Sequence, residues 1–391
     1  MILQFGIDQL IASPEKLAGK KVGLITNDAA KTSNLQPGRK ALAEAGIGLV
    51  LLFSPEHGLE ATGKDGASMP DSTDPLTNLP VISIYGQQIK PDIGLLQTLD
   101  VLLFDLPDIG SRFYTYIWTL SYVMESCAEA NLPLIILDRP NPISGNLTLS
   151  EGPMLDEERF SSFIGRWNIP IRHSLTVGEL ALFWKATKFI DADLTIIPVK
   201  GWKRAQFYHE LNVTFVPTSP AISNAETALI YPGTCLFEGI NISEGRGTNS
   251  PFKCIGAPWM QAGKLAEAIK TLSLNGLAVQ PVTFIPAEGE YENQRCEGVE
   301  LFITDYQTFR PVETGLTIMA VIREMYPENF QWAAYPTNVN KTGSGHFDLL
   351  MGQDYVRKVF EQNPEQFRQE IKKFTDVSDW NDRVRDFLLY D

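Results

Sequence analysis

The chain has 391 residues, 44% of them hydrophobic and 20% charged, enough apolar content for two or three cores and too much for disorder. Its formal charge of -14 opposes nucleic acid and anionic membrane surfaces as partners, so an anionic ligand needs a few placed cations. The N-terminal residues lack a basic stretch followed by an apolar one, and no later segment is long and apolar enough to span a bilayer. The expected compartment is therefore cytoplasmic, with a periplasmic or secreted location as the alternative if a signal has been removed. Cys127, Cys235, Cys254 and Cys296 have no CxxC spacing and read as reduced thiols, a Cys235–Cys254 bridge being the alternative.

In chain order, Lys21–Thr26 reads as a strand, and Pro37–Ala45 as a helix leading into a second strand, Leu49–Phe53. Pro80–Gly86, Asp100–Asp105 and Pro133–Asp138 follow as strands, with a helix over Thr115–Asn131. Unbroken apolar strands separated by helices predict a Rossmann-like α/β domain with a doubly wound, mainly parallel sheet. In such a sheet the loops after the strands share one edge, where ligands bind. The residues there are polar: Asn27 and Asp28, Glu56 and His57, Tyr85, Asp105 through Tyr116, and Asp138 through Asn141. Any single Asp or Asn among them reads first as a turn former or helix cap, yet the whole set on one edge points to a site.

Beyond Asp138 comes a long loop, Pro142–Glu158, holding Glu151, then a helix starting after Thr176 as N-cap, and a strand over Leu194–Val199. The turn residues around Tyr231-Pro232-Gly233 suggest a domain boundary, giving residues 1–232 as the Rossmann-like domain and 233–391 as a smaller α+β domain. That second part opens with Phe237–Phe252, where two carboxylates, Glu238 and Glu244, the guanidinium of Arg246 and three glycines imply a tight bend close to a ligand. Strand-like Gly298–Asp305, a helix over Gly315–Met325 and the Phe347–Gly352 segment follow. The charged helices Asn363–Thr375 and Asp379–Leu389 read as solvated faces.

No dinucleotide fingerprint, P-loop or Gly-x-Ser-x-Gly elbow is present, and the four histidines lack metal-ligand spacing. The reading is therefore no cofactor and no metal. Glu56 and His57 directly follow an apolar strand, where they read either as a pair held at a cleft rim for proton chemistry or as a turn in which Glu56 caps the following segment and His57 is solvated.

Ser54-Pro55-Glu56-His57-Gly58, Pro107 through Tyr116, Leu137 through Pro142, Glu151-Gly152-Pro153 and Ser243 through Thr248 together resemble the exo-β-N-acetylmuramidases of the NamZ type. The resemblance continues through Ile171-Arg172-His173 and Gly201-Trp202 to Phe347-Asp348. It implies a nucleotide-free Rossmann-like domain, a smaller C-terminal domain and a cleft between them. The implied activity is release of N-acetylmuramic acid from the non-reducing end of peptidoglycan fragments, a small carbohydrate substrate. Glu56 falls on the glutamate expected to be catalytic, with His57, Glu151 and Glu244 as further catalytic candidates and Asp105 as another possible second carboxylate. Asn27, Tyr85, Asp105, Asp108, Arg112, Tyr114, Asp138, Arg139, Asn141, Arg246 and Thr248 are the substrate-binding candidates. Arg112, Arg139 and Arg246 are the cations expected to meet the lactyl carboxylate.

The chain departs from the family pattern at Pro107, where glutamine is usual, at Ala221, where asparagine follows Ser-Pro, and over Gly58–Ala61, which lacks an arginine. Two other classes remain open on the sequence: a metal-dependent hydrolase or esterase using Asp105, Asp138 and His57, and a non-catalytic muropeptide-binding protein. The sequence gives no indication of oligomeric state.

Overall fold

The computed structural model describes residues 2–337 and 340–391. The strands are β1 (Val22–Thr26), β2 (Leu49–Ser54), β3 (Ser72–Thr73), β4 (Pro80–Ser83), β5 (Val101–Asp105), β6 (Leu134–Leu137), β7 (Leu194–Ile197), β8 (Cys254–Ala257), β9 (Leu277–Phe284) and β10 (Cys296–Ile303). Seven of them form one sheet in the order β3-β4-β2-β1-β5-β6-β7, parallel except for the β3 edge. Its six parallel strands follow the doubly wound order in which the chain reverses direction between β1 and β5. β1 and β5 are buried along their whole length, as continuous apolar runs in a sheet covered on both faces require.

Helices cover both faces. The helix Tyr116–Ala130 ends where Asn131 takes the left-handed conformation, φ 52°, and buries Trp118 against Trp184 at 5.2 Å between ring centroids. Trp184 belongs to helix Val177–Thr187, whose start is the expected Thr176. Its hydroxyl accepts from the Glu179 N–H while the Glu179 carboxylate accepts from the Thr176 N–H. The smaller sheet, β8-β10-β9, is antiparallel, with helices Ala262–Thr271 and Pro311–Met325 packed nearby.

Several expectations need correction. Tyr231-Pro232-Gly233 does not punctuate the chain but lies within helix Ala225–Thr234. That helix crosses Pro311–Met325 so closely that a Cβ on Gly233 would stand 1.9 Å from the Pro311 carbonyl oxygen. The C-terminal helices are not merely solvated: Phe367, Ile371, Phe374 and Trp380 are buried, and the Trp380 indole donates to the His173 carbonyl at 2.9 Å. The final residues return to the large sheet's helices, since Leu389 N–H donates to Glu179 and the Tyr390 hydroxyl to Asp138. All four cysteines are buried free thiols. Among the described residues, no helix is long and apolar enough to cross a membrane.

Candidate active site

β2 delivers the centre of the site. Leu51 through Ser54 are buried, and the chain leaves the sheet through Pro55, Glu56 and a sharp turn in which His57 (φ 66°) and Gly58 (φ 73°) are left-handed. A non-glycine residue held there is strained, and such strain concentrates at functional turns. The turn is pinned by His57 itself, whose Nδ1 lies 2.8 Å from the Gly63 carbonyl oxygen. Glu56 is 5% exposed and fully bonded: Oε1 accepts from Gly66 N–H at 2.9 Å and Oε2 from the Thr115 hydroxyl at 2.6 Å, with Tyr85 also hydrogen-bonded to the carboxyl. Burial, then the charge of Asp65, raise its pKa above the ordinary carboxylate range, and His57, Thr115 and Tyr85 oppose that only in part.

Glu56 opens onto a cleft of about 180 Å³. One wall comes from His57, Lys64, Asp65, Tyr85, Phe113, Tyr114 and the connection 219–222. The other comes from Tyr231, Glu238, Arg246, Thr248, Phe252, Glu288, Tyr335 and His346. Tyr114 and Tyr231 meet edge to face, as do Tyr231 and Phe252, so the floor is aromatic.

The far wall carries a charge cluster. Arg246 lies over the Phe252 ring at 4.8 Å, forms a short bond to Glu238, approaches Glu244 at 2.9 Å and stands 3.8 Å from Asp65. The second oxygen of Glu238 faces His346 Nε2 at 3.1 Å. Burial pushes the Glu238 pKa upward, but Arg246 and His346 outweigh it and hold the carboxyl below the usual range. Glu244 lies behind Arg246, and its burial is less completely offset, leaving its pKa at about 7. Asp65 closes the circuit across the cleft, accepting from the Tyr335 hydroxyl at 2.9 Å.

The structure thus brings Glu56, His57, Tyr85, Tyr114, Arg246 and Thr248 together on one cleft, with Glu244 supporting Arg246 from behind. The other candidates sit elsewhere, and each has a structural occupation. Glu151 accepts from Val312 N–H at 3.4 Å and Glu313 N–H at 3.0 Å, capping helix Pro311–Met325 away from the cleft. Arg112 is fully buried and spends its donors on the carbonyls of Pro153, Ile169 and Leu350, so it cannot meet a substrate carboxylate. Arg139 grips Asp105 through two bonds, 2.7 and 3.1 Å, and stacks on Phe5. Asp138 accepts from Gly178 N–H and the Thr176 hydroxyl at the start of helix Val177–Thr187.

Asn141 bridges Leu175 and Ile143, Asn27 bonds Tyr116 and Ala29, and Asp108 accepts from Gly110 N–H and faces His173. The loops after β1, β5 and β6 thus spend most of these side chains on one another around a small cavity lined by Asp108 and Arg139, and the larger cleft is the one lined by Glu56. The metal-hydrolase reading loses its ligand set: Asp105 and Asp138 are bound internally, and no group of three potential metal ligands occurs among the described residues. Of the departures, Ala221 lines the cleft, whereas Pro107 lines a separate cavity of about 40 Å³ beside Arg139.

Sequence reasoning missed Lys64, Asp65, Thr115, Glu238, Tyr335 and His346. Glu238 stood inside the flagged glycine-rich segment, and Thr115 between the flagged tyrosines. Lys64, Asp65, Tyr335 and His346 carry no local signal, because only the folded chain opposes them to Glu56.

Fold and cleft together define a two-domain, Rossmann-like α/β protein with two buried carboxyl groups, Glu56 and Glu238, lining one cleft. Residues 22–226 match the model of the exo-beta-N-acetylmuramidase NamZ N-terminal region and residues 229–390 that of its C-terminal region. The chain is 40% identical over 361 residues to the peptidoglycan beta-N-acetylmuramidase NamZ of Bacillus subtilis (strain 168), covering 92% of this chain and 84% of that one. Two DUF1343 family crystal structures from Bacteroides fragilis NCTC 9343 share the fold along the whole chain. BF0371 superposes with a TM-score of 0.87 at 32% identity, and BF0379 with 0.76 at 28%, each match covering 100% of this chain and 99% of the other. The chain belongs to the exo-beta-N-acetylmuramidase NamZ family.

Proposed function

We propose that this protein is an exo-acting β-N-acetylmuramidase that hydrolyses the terminal glycosidic bond of peptidoglycan fragments and releases N-acetylmuramic acid. The observation that carries the reading is two buried carboxyl groups lining one cleft in unlike surroundings, Glu56 bonded by Gly66 and Thr115 and Glu238 by Arg246 and His346, so that burial raises the first pKa and its partners lower the second. Environments that drive paired acids apart assign the proton donor and the charge stabiliser. Glu56 gives its proton to the bridging oxygen as the bond from the anomeric carbon breaks, and water attacks that carbon, supplying the new hydroxyl group while its other proton restores the Glu56 acid. Glu238, fixed by Arg246 and His346, faces the developing oxocarbenium charge.

The cleft, at about 180 Å³, is smaller than the roughly 300–1,000 Å³ of sites for drug-sized ligands, which suits one terminal sugar. Tyr114, Tyr231 and Phe252 line its apolar side. The test is incubation with a chromogenic β-N-acetylmuraminide and, separately, the matching β-N-acetylglucosaminide. Chromophore release from the first alone is expected; release from the second alone, or from neither, would refute the proposal.

A further inference from the structure

We infer that the cleft holds a carboxylate subsite whose receptor is Lys64, and that this lysine selects a sugar bearing an acidic ether substituent. The inference rests on the proposed function and names what sets its specificity. Few of the chain's cations reach the cleft unengaged. Arg112 and Arg139 lie outside it, bound to main-chain carbonyls and to Asp105. Arg246 lines it but is already surrounded by Glu238, Glu244 and Asp65. His57 and His346 are engaged with the Gly63 carbonyl and with Glu238. Lys64 is exposed, lines the cleft, and has neither an ion pair nor a side-chain hydrogen bond among the described residues.

Its backbone is nevertheless held in place. Gly63 N–H donates to the His57 carbonyl at 3.0 Å, and the Lys64 carbonyl accepts from Ala67 N–H at 3.2 Å. Two residues on, Gly66 N–H donates to Glu56, and between them Asp65 bonds Tyr335. The ammonium therefore swings on a flexible stem from a base tied directly to the proton donor. A lysine of this kind acts as a mobile point charge, suited to a carboxylate on a substituent that can itself rotate. Asp65, Glu238 and Glu288 also line the cleft, so a substrate carboxylate entering without a compensating cation would face repulsion.

Two substrates separate this contact from general binding: the chromogenic β-N-acetylmuraminide and its lactyl methyl ester, which keeps the shape and lacks the charge. Lys64→Met is expected to raise KM for the acid about tenfold, equivalent to about 1.4 kcal/mol, and to leave kcat within about twofold. The ester should show no change, and Lys64→Arg should behave as wild type with both. Raising the salt concentration should weaken the wild type with the acid and not with the ester. An unchanged KM for the acid in Lys64→Met, or an equal rise with acid and ester, would overturn the inference. Failure of the wild type to cleave the acid would instead refute the proposed function. The subsite is then read by calorimetric binding of N-acetylmuramic acid and its methyl ester, where Lys64→Met must weaken only the acid for the inference to hold.

Discussion

The hydrogen bond from Thr115 to Glu56 and the charge of Asp65 act on the same carboxyl group in opposite senses, which makes the pair a sharp test of how its protonation is set. The Thr115 bond, 2.6 Å to Oε2, favours the ionised form, and Asp65 disfavours it. Removing the bond with Thr115→Val should therefore raise the Glu56 pKa. A hydrogen bond to a charged acceptor contributes about 1.5–3 kcal/mol, and about 1.36 kcal/mol corresponds to one pKa unit. The protonated acid keeps part of that bond, so only a fraction of its strength appears as the rise. A general acid is active while protonated, so its pKa forms the alkaline limb of the kcat/KM profile. Thr115→Val should move that limb to higher pH, and Asp65→Asn should move it to lower pH. The assay is kcat/KM for the chromogenic muraminide measured from acid to alkaline pH. Shifts of both variants in the same direction, or an unmoved limb in two active variants, would refute the assignment of that limb to Glu56.

Two further predictions concern residues that the sequence offered to the site and the structure places outside it. Arg112→Met leaves three buried carbonyls without their donor, at about 1–3 kcal/mol for each unsatisfied group. A loss of about 3 kcal/mol or more in urea unfolding is expected, and an unchanged midpoint would contradict this role. Glu151 has its pKa pushed up to about 7 by burial, from an ordinary value of 4.5, so the folded state takes up a proton that the unfolded chain lacks between those values. Its stabilising effect relative to Glu151→Gln should be largest below pH 4.5 and vanish as pH rises through 7, measured by unfolding at fixed pH. Turnover of Glu151→Gln should stay near wild type, and a loss of a hundredfold or more would return Glu151 to the chemistry.

Much of the fold was legible because its signals are local. The apolar runs of β1, β2, β5 and β6 announced a parallel sheet, and Thr176 with Glu179 announced a helix start. Glu56 was legible for the same reason, since it follows an apolar strand directly. Residues such as Arg112, Asp105, Asp138 and Arg139 misled because a buried charge held by main-chain groups or an opposite charge looks, in one dimension, like a ligand contact. The turn reading of Tyr231-Pro232-Gly233 misled because a glycine needed for helix contact has the same letter as one that makes a turn. Lys64, Asp65 and His346 were invisible because their significance comes from the opposite wall of the cleft. The solvated reading of the C-terminal helices missed that each also carries an apolar stripe around Phe367, Ile371, Phe374 and Trp380.

Proton donation by Glu56 to the departing oxygen is read out by comparing leaving groups in Glu56→Gln. General acid catalysis is worth roughly 10²–10⁴-fold, but only where the leaving group needs a proton. With a natural disaccharide, whose departing sugar oxygen is strongly basic, kcat/KM should fall by about that factor. With a dinitrophenyl β-N-acetylmuraminide, which departs without protonation, the variant should retain much of the wild-type rate. Equal losses on both substrates, or full activity on the disaccharide, would contradict the account.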